Sequence, residues 1–205
     1  MGFKKFFGIL SFALLTACLG QKPVPIADAV KPLTPEEQKI WLDQYEPKIR
    51  QAVRGSDFVV TRMDRTLVVT ASAKTMFHPD RPTMLMPVVL NPLTRVSKML
   101  ENDRSVGVII FGHTDSTGSL DLNQKLSQDR ARSVAAIFRL SGLGNDRMLL
   151  LGMADSKPIN SQRNAKEREA NRRVELVITP QRAMALALSE YRGRSPEVIA
   201  AGQTR

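Results

Sequence analysis

Residues 106–118 read Val106-Gly107-Val108-Ile109-Ile110-Phe111-Gly112-His113-Thr114-Asp115-Ser116-Thr117-Gly118, and this stretch decides the fold of the chain. The apolar run from Val106 to Phe111 is typical of a buried strand, and it ends in a polar turn. An amphipathic helix is predicted directly after the turn, from about Leu120 to Leu140. Its apolar stripe is expected to contain Leu122, Leu126, Val134, Ile137 and Phe138.

Arg130 lies in the middle of that predicted apolar stripe, whereas the other charges of the helix lie on the opposite face. A guanidinium among apolar neighbours needs an acceptor, because an unpaired buried charge is costly. Asp115, in the turn before the helix, is the nearest candidate in the sequence. Two interpretations follow: a structural ion pair between Asp115 and Arg130, or a binding site that uses both charges.

The composition limits the class of partner. A chain of 205 residues is long enough for one ordinary domain with appendages. Its 30 Lys and Arg residues against 20 Asp and Glu residues give a net charge of +10, which favours an anionic partner such as a membrane surface or an acidic polymer. Aromatic residues make up only 5% of the chain and are not interleaved with basic runs, so we do not expect nucleic acid as the partner.

The N-terminus indicates export. Lys4 and Lys5 precede an apolar run from Phe6 to Leu15, which is too short for a stable membrane span but typical of a signal peptide. The following Leu15-Thr16-Ala17-Cys18 resembles the lipobox of bacterial lipoproteins, which implies a signal peptide at 1–17 and lipidation of Cys18. Leu19 after the cysteine implies, by similarity to enteric sorting rules, the outer membrane. The alternative is a buried cysteine beside an ordinary cleavage site.

Two segments are predicted between the lipobox and the main domain. Residues 18–33 are rich in proline and show no periodicity, as in a stiff tether. Residues 34–55 are predicted to form a helical extension that starts with Thr34 as N-cap. Trp41, Tyr45 and Ile49 recur at intervals of four and form an apolar face, which is expected to pack on the domain or, alternatively, to bind a partner. Pro47 is expected to kink or divide this helix.

The main domain is predicted at 56–180, with strands and helices alternating after an N-terminal hairpin. The hairpin strands are predicted at 58–61 and 66–71, followed by a polar loop at 76–82 and a helix at about 84–100. Further strands are predicted at 148–151 and 173–179, the second with one face more polar, and the residues between them as a long loop ending in a helical turn at 167–171. This pattern predicts an α/β (α+β) fold in which a mixed β-sheet packs against helices.

Residues 181–205 form a basic C-terminal extension. Met184, Leu188 and Tyr191 recur at helical spacing, and Ser195-Pro196 ends the run. One interpretation is a short helix that packs on the domain and has a frayed basic end. The other is that this tail, together with the Trp41 helix, docks a larger envelope assembly.

Several separated motifs in this chain resemble the signature of the OmpA-like peptidoglycan-binding domain. They are Gly112-His113-Thr114-Asp115, Gly118, the run Asn123 to Ala131, and Asn171-Arg172-Arg173-Val174-Glu175. The resemblance extends over about residues 58 to 179. The family includes the peptidoglycan-associated lipoprotein and the periplasmic domains of outer-membrane porins and flagellar motor proteins. The resemblance implies an OmpA-C-like fold, in which a mixed sheet packs on helices.

The resemblance also implies non-catalytic, non-covalent binding of the peptidoglycan stem peptide. Asp115 would pair with the ammonium, and Arg130 with the carboxylate, at the free amino-acid end of meso-diaminopimelate. Asn123, Asn171 and Arg172 would line or support the same pocket. Many family members have an aspartate soon after the phenylalanine of the first loop, and Asp80 is the candidate for that polar contact here.

We expect neither an enzyme nor a metal or cofactor site. The chain has no G-x-S-x-G motif and no phosphate loop. His78 and His113 are its only histidines, and no further metal ligands stand at a recognisable spacing.

A lipoprotein with extensions at both ends of such a domain is similar in architecture to the OmpA-like lipoproteins of type IVB (Dot/Icm) secretion complexes. Two functional hypotheses follow. In the first, the protein tethers the outer membrane to the cell wall. In the second, it is a structural subunit of a secretion or envelope complex in which wall binding is secondary.

Overall fold

A computed structural model describes residues 33–194 of the chain. A five-stranded sheet forms its centre, with the strand order β1-β2-β7-β5-β6. The strands are β1 (Val59–Arg62), β2 (Leu67–Ser72), β5 (Val106–Gly112), β6 (Met148–Gly152) and β7 (Arg173–Pro180). Only the pair β5 and β6 is parallel, and the other neighbours are antiparallel. The predicted mixed sheet packed against helices is confirmed.

Helix α1 (Pro35–Ala52) begins as the sequence predicts. The Thr34 side chain accepts a hydrogen bond from the Glu37 amide, the Glu37 carboxylate accepts one from the Thr34 amide, and Pro35 occupies the first turn. Of the two outcomes predicted for Pro47, a kink or a division of the helix, the division is wrong, because the helix continues through this residue. Tyr45 and Ile49, on either side of the proline, are both buried in the main core, and their packing offsets the backbone hydrogen bond that proline removes.

The segment that follows β2 is more regular than the sequence predicts. Instead of a polar loop at 76–82, the chain forms a short helix α2 (Ala73–Met76) and a hairpin of β3 (Phe77–His78) and β4 (Arg81–Leu85). Phe77 and Met76 are buried, and burial of these two side chains stabilises the segment. Helix α3 (Pro87–Glu101) starts later than predicted because β4 occupies residues 81–85, and Pro92 lies inside the helix.

Helix α4 (Leu120–Leu140) has the predicted bounds, but the predicted stripe is wrong in its first half. Leu122 is 67% exposed, whereas the smaller Asn123 and Ser127 are buried. The reason is the close approach of this half to the ends of β5 and β6. A Cβ atom on Gly112 would lie 2.0 Å from the Ser127 carbonyl oxygen, and one on Gly152 would lie 2.6 Å from the Ser127 hydroxyl. Only small side chains fit between these elements.

The prediction that one face of β7 is more polar is confirmed, since Arg173, Glu175 and Thr179 alternate along the strand, and both faces of β7 are buried. Helices α1, α3 and α4 cover one face of the sheet, and helix α6 (Met184–Gly193) covers the other. Met184 and Tyr191 of α6 pack there against Phe111 and Val177. The described part of the C-terminal extension is therefore a helix packed on the domain, and the Trp41 face of α1 is likewise buried in the main core.

Several predicted features lie outside the described residues. They are the signal peptide at 1–17, the lipidation site at Cys18, nearly all of the tether at 18–33 and the basic end at 195–205. Within residues 33–194, no helix is both long enough and apolar enough to cross a membrane.

Candidate functional site

The candidate site lies where β5 ends and the chain enters the turn at 113–118. Backbone hydrogen bonds hold the first two residues of the turn: the His113 amide donates to the Arg173 carbonyl, and the Thr114 amide to the Ala154 carbonyl, each at 2.9 Å. The turn is thus attached to the first residue of β7 and to the segment that follows β6. This attachment fixes the position of Asp115 just beyond the C-terminal end of β5.

The Asp115 carboxylate is buried and accepts several hydrogen bonds. One oxygen accepts from the Thr117 amide at 2.9 Å and from the Thr117 hydroxyl, and the other accepts from Nη1 of Arg172. Burial raises the pKa of this carboxyl, but the hydrogen bonds from Thr117 and the charge of Arg172 outweigh burial and hold the pKa below its usual range. Asp115 is therefore an anion at neutral pH.

Arg130 lies under the β3–β4 hairpin, and only 6% of its surface is exposed. Its Nε donates to the Pro82 carbonyl at 3.0 Å, and its guanidinium carbon lies 5.3 Å from the centre of the Phe77 ring. Its Nη1 is buried and has no hydrogen-bond partner among residues 33–194. Burial, and then the charge of Arg172, lower the pKa of Arg130 to about 10, so the side chain is still a cation at pH 7.

The structural interpretation of Asp115 and Arg130 as an ion pair is wrong for the described chain. Asp115 pairs with Arg172, which follows it by 57 positions in the sequence. Arg130 is left with a backbone carbonyl, an aromatic face and one unpartnered nitrogen. An unpartnered buried donor on a cation is costly, and an anion that enters from solvent would remove that cost.

The two predicted asparagines support the site from behind. The Asn123 side-chain amide donates to the carbonyls of Asp115 and Thr117, at 3.3 and 2.9 Å, and so fixes the turn on α4. Asn171, at the end of helix α5 (Ala165–Asn171), is fully buried. Its side chain accepts a hydrogen bond from the Ile159 amide at 2.7 Å and thereby orders the loop beside the turn.

Asp80 differs from the other predicted site residues. It lies in the exposed turn between β3 and β4, where its amide donates to the His78 ring. No hydrogen bond or ion pair joins its side chain to another predicted site residue in the described part of the chain. Two residues of the site that the sequence does not indicate come from the same hairpin, namely Phe77 and Pro82, which position the Arg130 guanidinium.

A buried polar network lies behind the turn, on the face of the sheet that α6 covers. The Tyr191 hydroxyl donates to Glu175 at 2.5 Å, and Glu175 also pairs with Arg173 at 2.6 Å. Because that hydroxyl donates its only proton to Glu175, the His113 Nε2–H donates to the Tyr191 oxygen, at 3.0 Å. Sequence reasoning missed this network, although the alternation of Arg173 and Glu175 on one face of β7 was its signal.

This network makes the stability of the domain depend on pH. Burial, and then the charge of Arg173, lower the pKa of His113 from 6.5 to about 3. Burial raises the pKa of Glu175, but the charge of Arg173 outweighs burial and brings the pKa to about 2. In both cases the folded state binds protons less readily than the unfolded state. Above about pH 6.5, His113 and Glu175 make their full contribution to the free energy of unfolding. The contribution of His113 is lost as the pH falls from 6.5 to 3, and that of Glu175 as the pH falls from 4.5 to 2.

We therefore predict that the free energy of unfolding falls by about 2 kcal/mol between pH 6.5 and pH 4.5, chiefly through His113. Urea denaturation at half-unit pH intervals measures the slope. A His113→Gln variant should flatten the slope in this interval, whereas His78→Gln, which removes the histidine in the β3–β4 hairpin, should retain it. An identical slope in the His113 variant would contradict the assignment.

The described side chains do not include a candidate metal centre: within residues 33–194, no three His, Cys, Asp or Glu side chains are grouped so that they could hold an ion. The chemistry of the site is that of charge pairing. The Asp115 carboxylate pairs with Arg172 and also favours the charged form of Arg130, and Arg130 has an unused donor.

Comparison with known proteins gives a family match and a fold match. Residues 76–172 match the OmpA family, a segment that begins at the end of α2 and ends at Arg172. In the solved structure of a putative MotB-like protein from Desulfovibrio vulgaris, the fold is similar with a TM-score of 0.64, at 20% identity, over 71% of this chain and 95% of that one. This likeness shows the fold.

Two relatives are more similar in sequence. The probable lipoprotein YiaD of Escherichia coli is 35% identical over 140 residues, which are 68% of this chain and 64% of that protein. The outer-membrane lipoprotein YfiB of Pseudomonas aeruginosa is 37% identical over 109 residues, which are 52% of this chain and 63% of that protein. The matched part of the chain thus spans slightly less than two thirds of each relative. From the matched segment and these relatives, we conclude that residues 76–172 belong to a domain of the OmpA family.

Proposed function

We propose that this protein is an outer-membrane lipoprotein that binds peptidoglycan non-covalently and without catalysis, and so tethers the membrane to the cell wall. The ligand is the free amino-acid end of meso-diaminopimelate in the stem peptide. The observation that carries the proposal is the Arg130 guanidinium, a buried cation with an unpartnered Nη1 beside a buried carboxylate. The motif resemblance and the OmpA family match support the same assignment.

The residue types suit an amino-acid end. Its carboxylate needs a cationic donor, and a planar guanidinium can bind it through two parallel hydrogen bonds. Its ammonium needs an anionic acceptor. Asp115 already accepts hydrogen bonds from Thr117 and Arg172, but a carboxylate has about four lone-pair sites and so retains room for one more donor. Asn123 and Asn171 hold the surrounding loops in place.

The lipid anchor and the location belong to this proposal. Leu15-Thr16-Ala17-Cys18 supports lipidation at Cys18, and the names of the two relatives describe lipoproteins, one of them in the outer membrane. Several acyl chains on one residue give stable anchoring, whereas a single chain is marginal. No observation favours the alternative of a secretion-complex subunit, since the apolar faces of α1 and α6 are buried within the domain itself.

The ligand assignment predicts discrimination between two stem peptides. The tripeptide with meso-diaminopimelate has the full amino-acid end, whereas the tripeptide with L-lysine lacks its carboxylate. We expect the lysine form to bind at least about 30-fold more weakly, because Arg130 loses its charged partner. Isothermal titration of residues 33–194 with both peptides tests this. Equal affinities would overturn the assignment of the ligand, and absence of binding by both would overturn the proposed function.

A further inference from the structure

Arg172 is attached to the site at only one of its nitrogens. Its Nη1 donates to Asp115, and its guanidinium makes no other hydrogen bond or ion pair within residues 33–194. The side chain is 39% exposed, while that of Asp115 is 4% exposed. A guanidinium has five N–H donors in a fixed fork, so most of its hydrogen-bonding capacity faces the solvent at the mouth of the site.

The charges of the site do not balance. Arg130 and Arg172 provide two cations, and Asp115 is the anion that acts on both of them. The charge of Arg172 also lowers the pKa of Arg130, so the two guanidinium groups repel each other. The amino-acid end of diaminopimelate has one ammonium and one carboxylate and therefore adds no net charge. With this end bound, one positive charge at the site is still uncompensated.

We propose that Arg172 binds a second carboxylate of the ligand, one on the backbone of the stem peptide. The site thus takes a stem peptide whose bound groups carry one net negative charge: one carboxylate on Arg130, the ammonium on Asp115 and a backbone carboxylate on Arg172. This inference rests on the proposed function. It adds that the state of the backbone carboxylates, free or amidated, controls affinity.

A purely structural role for Arg172 predicts a different result. If it served only to neutralise Asp115, a ligand's backbone charge would not affect binding. The exposure of Arg172 favours contact with the ligand, because its N–H donors that face solvent are accessible to a carboxylate. Amidation of the backbone carboxylates separates the two roles because it leaves unmodified the amino-acid end that Arg130 and Asp115 bind.

The test compares two muramyl tripeptides that share an unmodified diaminopimelate side-chain end. In one, both backbone carboxylates are free, and in the other, both are amidated. We expect the free form to bind residues 33–194 about fivefold more tightly in low salt, with a smaller ratio at high salt. In Arg172→Gln the ratio should fall to about one, and Arg172→Lys should restore part of it.

Arg132→Gln is the matched control, because it removes one positive charge from the exposed face of α4, where Arg132 pairs with Asp129. This variant should retain the wild-type ratio. Binding of both tripeptides with equal affinity by the wild type would overturn the inference and leave the proposed function standing. A ratio that Arg172→Gln leaves unchanged would also overturn it. If neither tripeptide binds, the proposed function fails as well.

Discussion

Replacement of Arg130 by methionine is expected to abolish binding of the diaminopimelate tripeptide while the domain remains folded. Methionine fills much of the space of the arginine stem but has no donor for a carboxylate. Loss of one partner from a buried charge pair costs about 2–5 kcal/mol, so the affinity should fall at least about 30-fold. Isothermal titration of wild type and variant measures the loss.

The same substitution should change stability little. The variant loses the hydrogen bond to Pro82, but the buried guanidinium with its unpartnered Nη1 is also removed. Because these effects oppose each other, we expect the free energy of unfolding to change by about 1 kcal/mol or less. Arg132→Met, on the exposed face of the same helix, is the matched control and should bind normally. Normal binding by the Arg130 variant would exclude this residue from the site.

Substitution of Gly112 by alanine is expected to have the largest effect on stability. The added Cβ would lie 2.0 Å from the Ser127 carbonyl oxygen, which is backbone and cannot rotate away. Either α4 or the end of β5 must shift, and Ser127 would then lose its hydrogen bond to the Ala154 amide. We expect the free energy of unfolding to fall by about 3 kcal/mol, as measured by urea denaturation.

Gly193→Ala is the control for this substitution. Gly193 ends α6, and an added Cβ there meets nothing within 4 Å. The control should therefore be neutral or slightly stabilising, since alanine is the better helix former. The displacement of α4 in the Gly112 variant should also weaken ligand binding, because Asn123 and Arg130 both belong to that helix. Stability equal to that of the wild type would contradict the close approach of helix and strand.

The sequence predicts best the elements whose apolar residues follow a clear pattern. The apolar run that forms β5 and the helical period of α4 lead to nearly the observed bounds, and the capping pattern at Thr34 locates the start of α1. Periodicity alone does not reveal distance between elements. The period predicts Leu122 in the core, but the face of α4 that approaches Gly112 contains Asn123 and Ser127, and Leu122 is 67% exposed.

The sequence predicts those parts of the candidate site in which a residue departs from the hydrophobic pattern of its helix. Arg130 is a charge on the buried stripe of a helix, and this conflict indicates a special role. Its local partners, Pro82 and Phe77, and the pairing of Asp115 with Arg172 depend on contacts between distant parts of the chain. The network of His113, Glu175 and Tyr191 also depends on contacts between distant parts of the chain, because Tyr191 belongs to α6, which covers the second face of the sheet.

Cosedimentation with purified sacculi tests the central claim most directly. Residues 33–194 are mixed with sacculi that contain meso-diaminopimelate, and the wild type is compared with Asp115→Ala and Arg130→Ala after circular dichroism has shown that each variant is folded. We predict that the wild type sediments with the sacculi and that both variants stay in the supernatant. Sedimentation of both folded variants at the wild-type level would contradict the account.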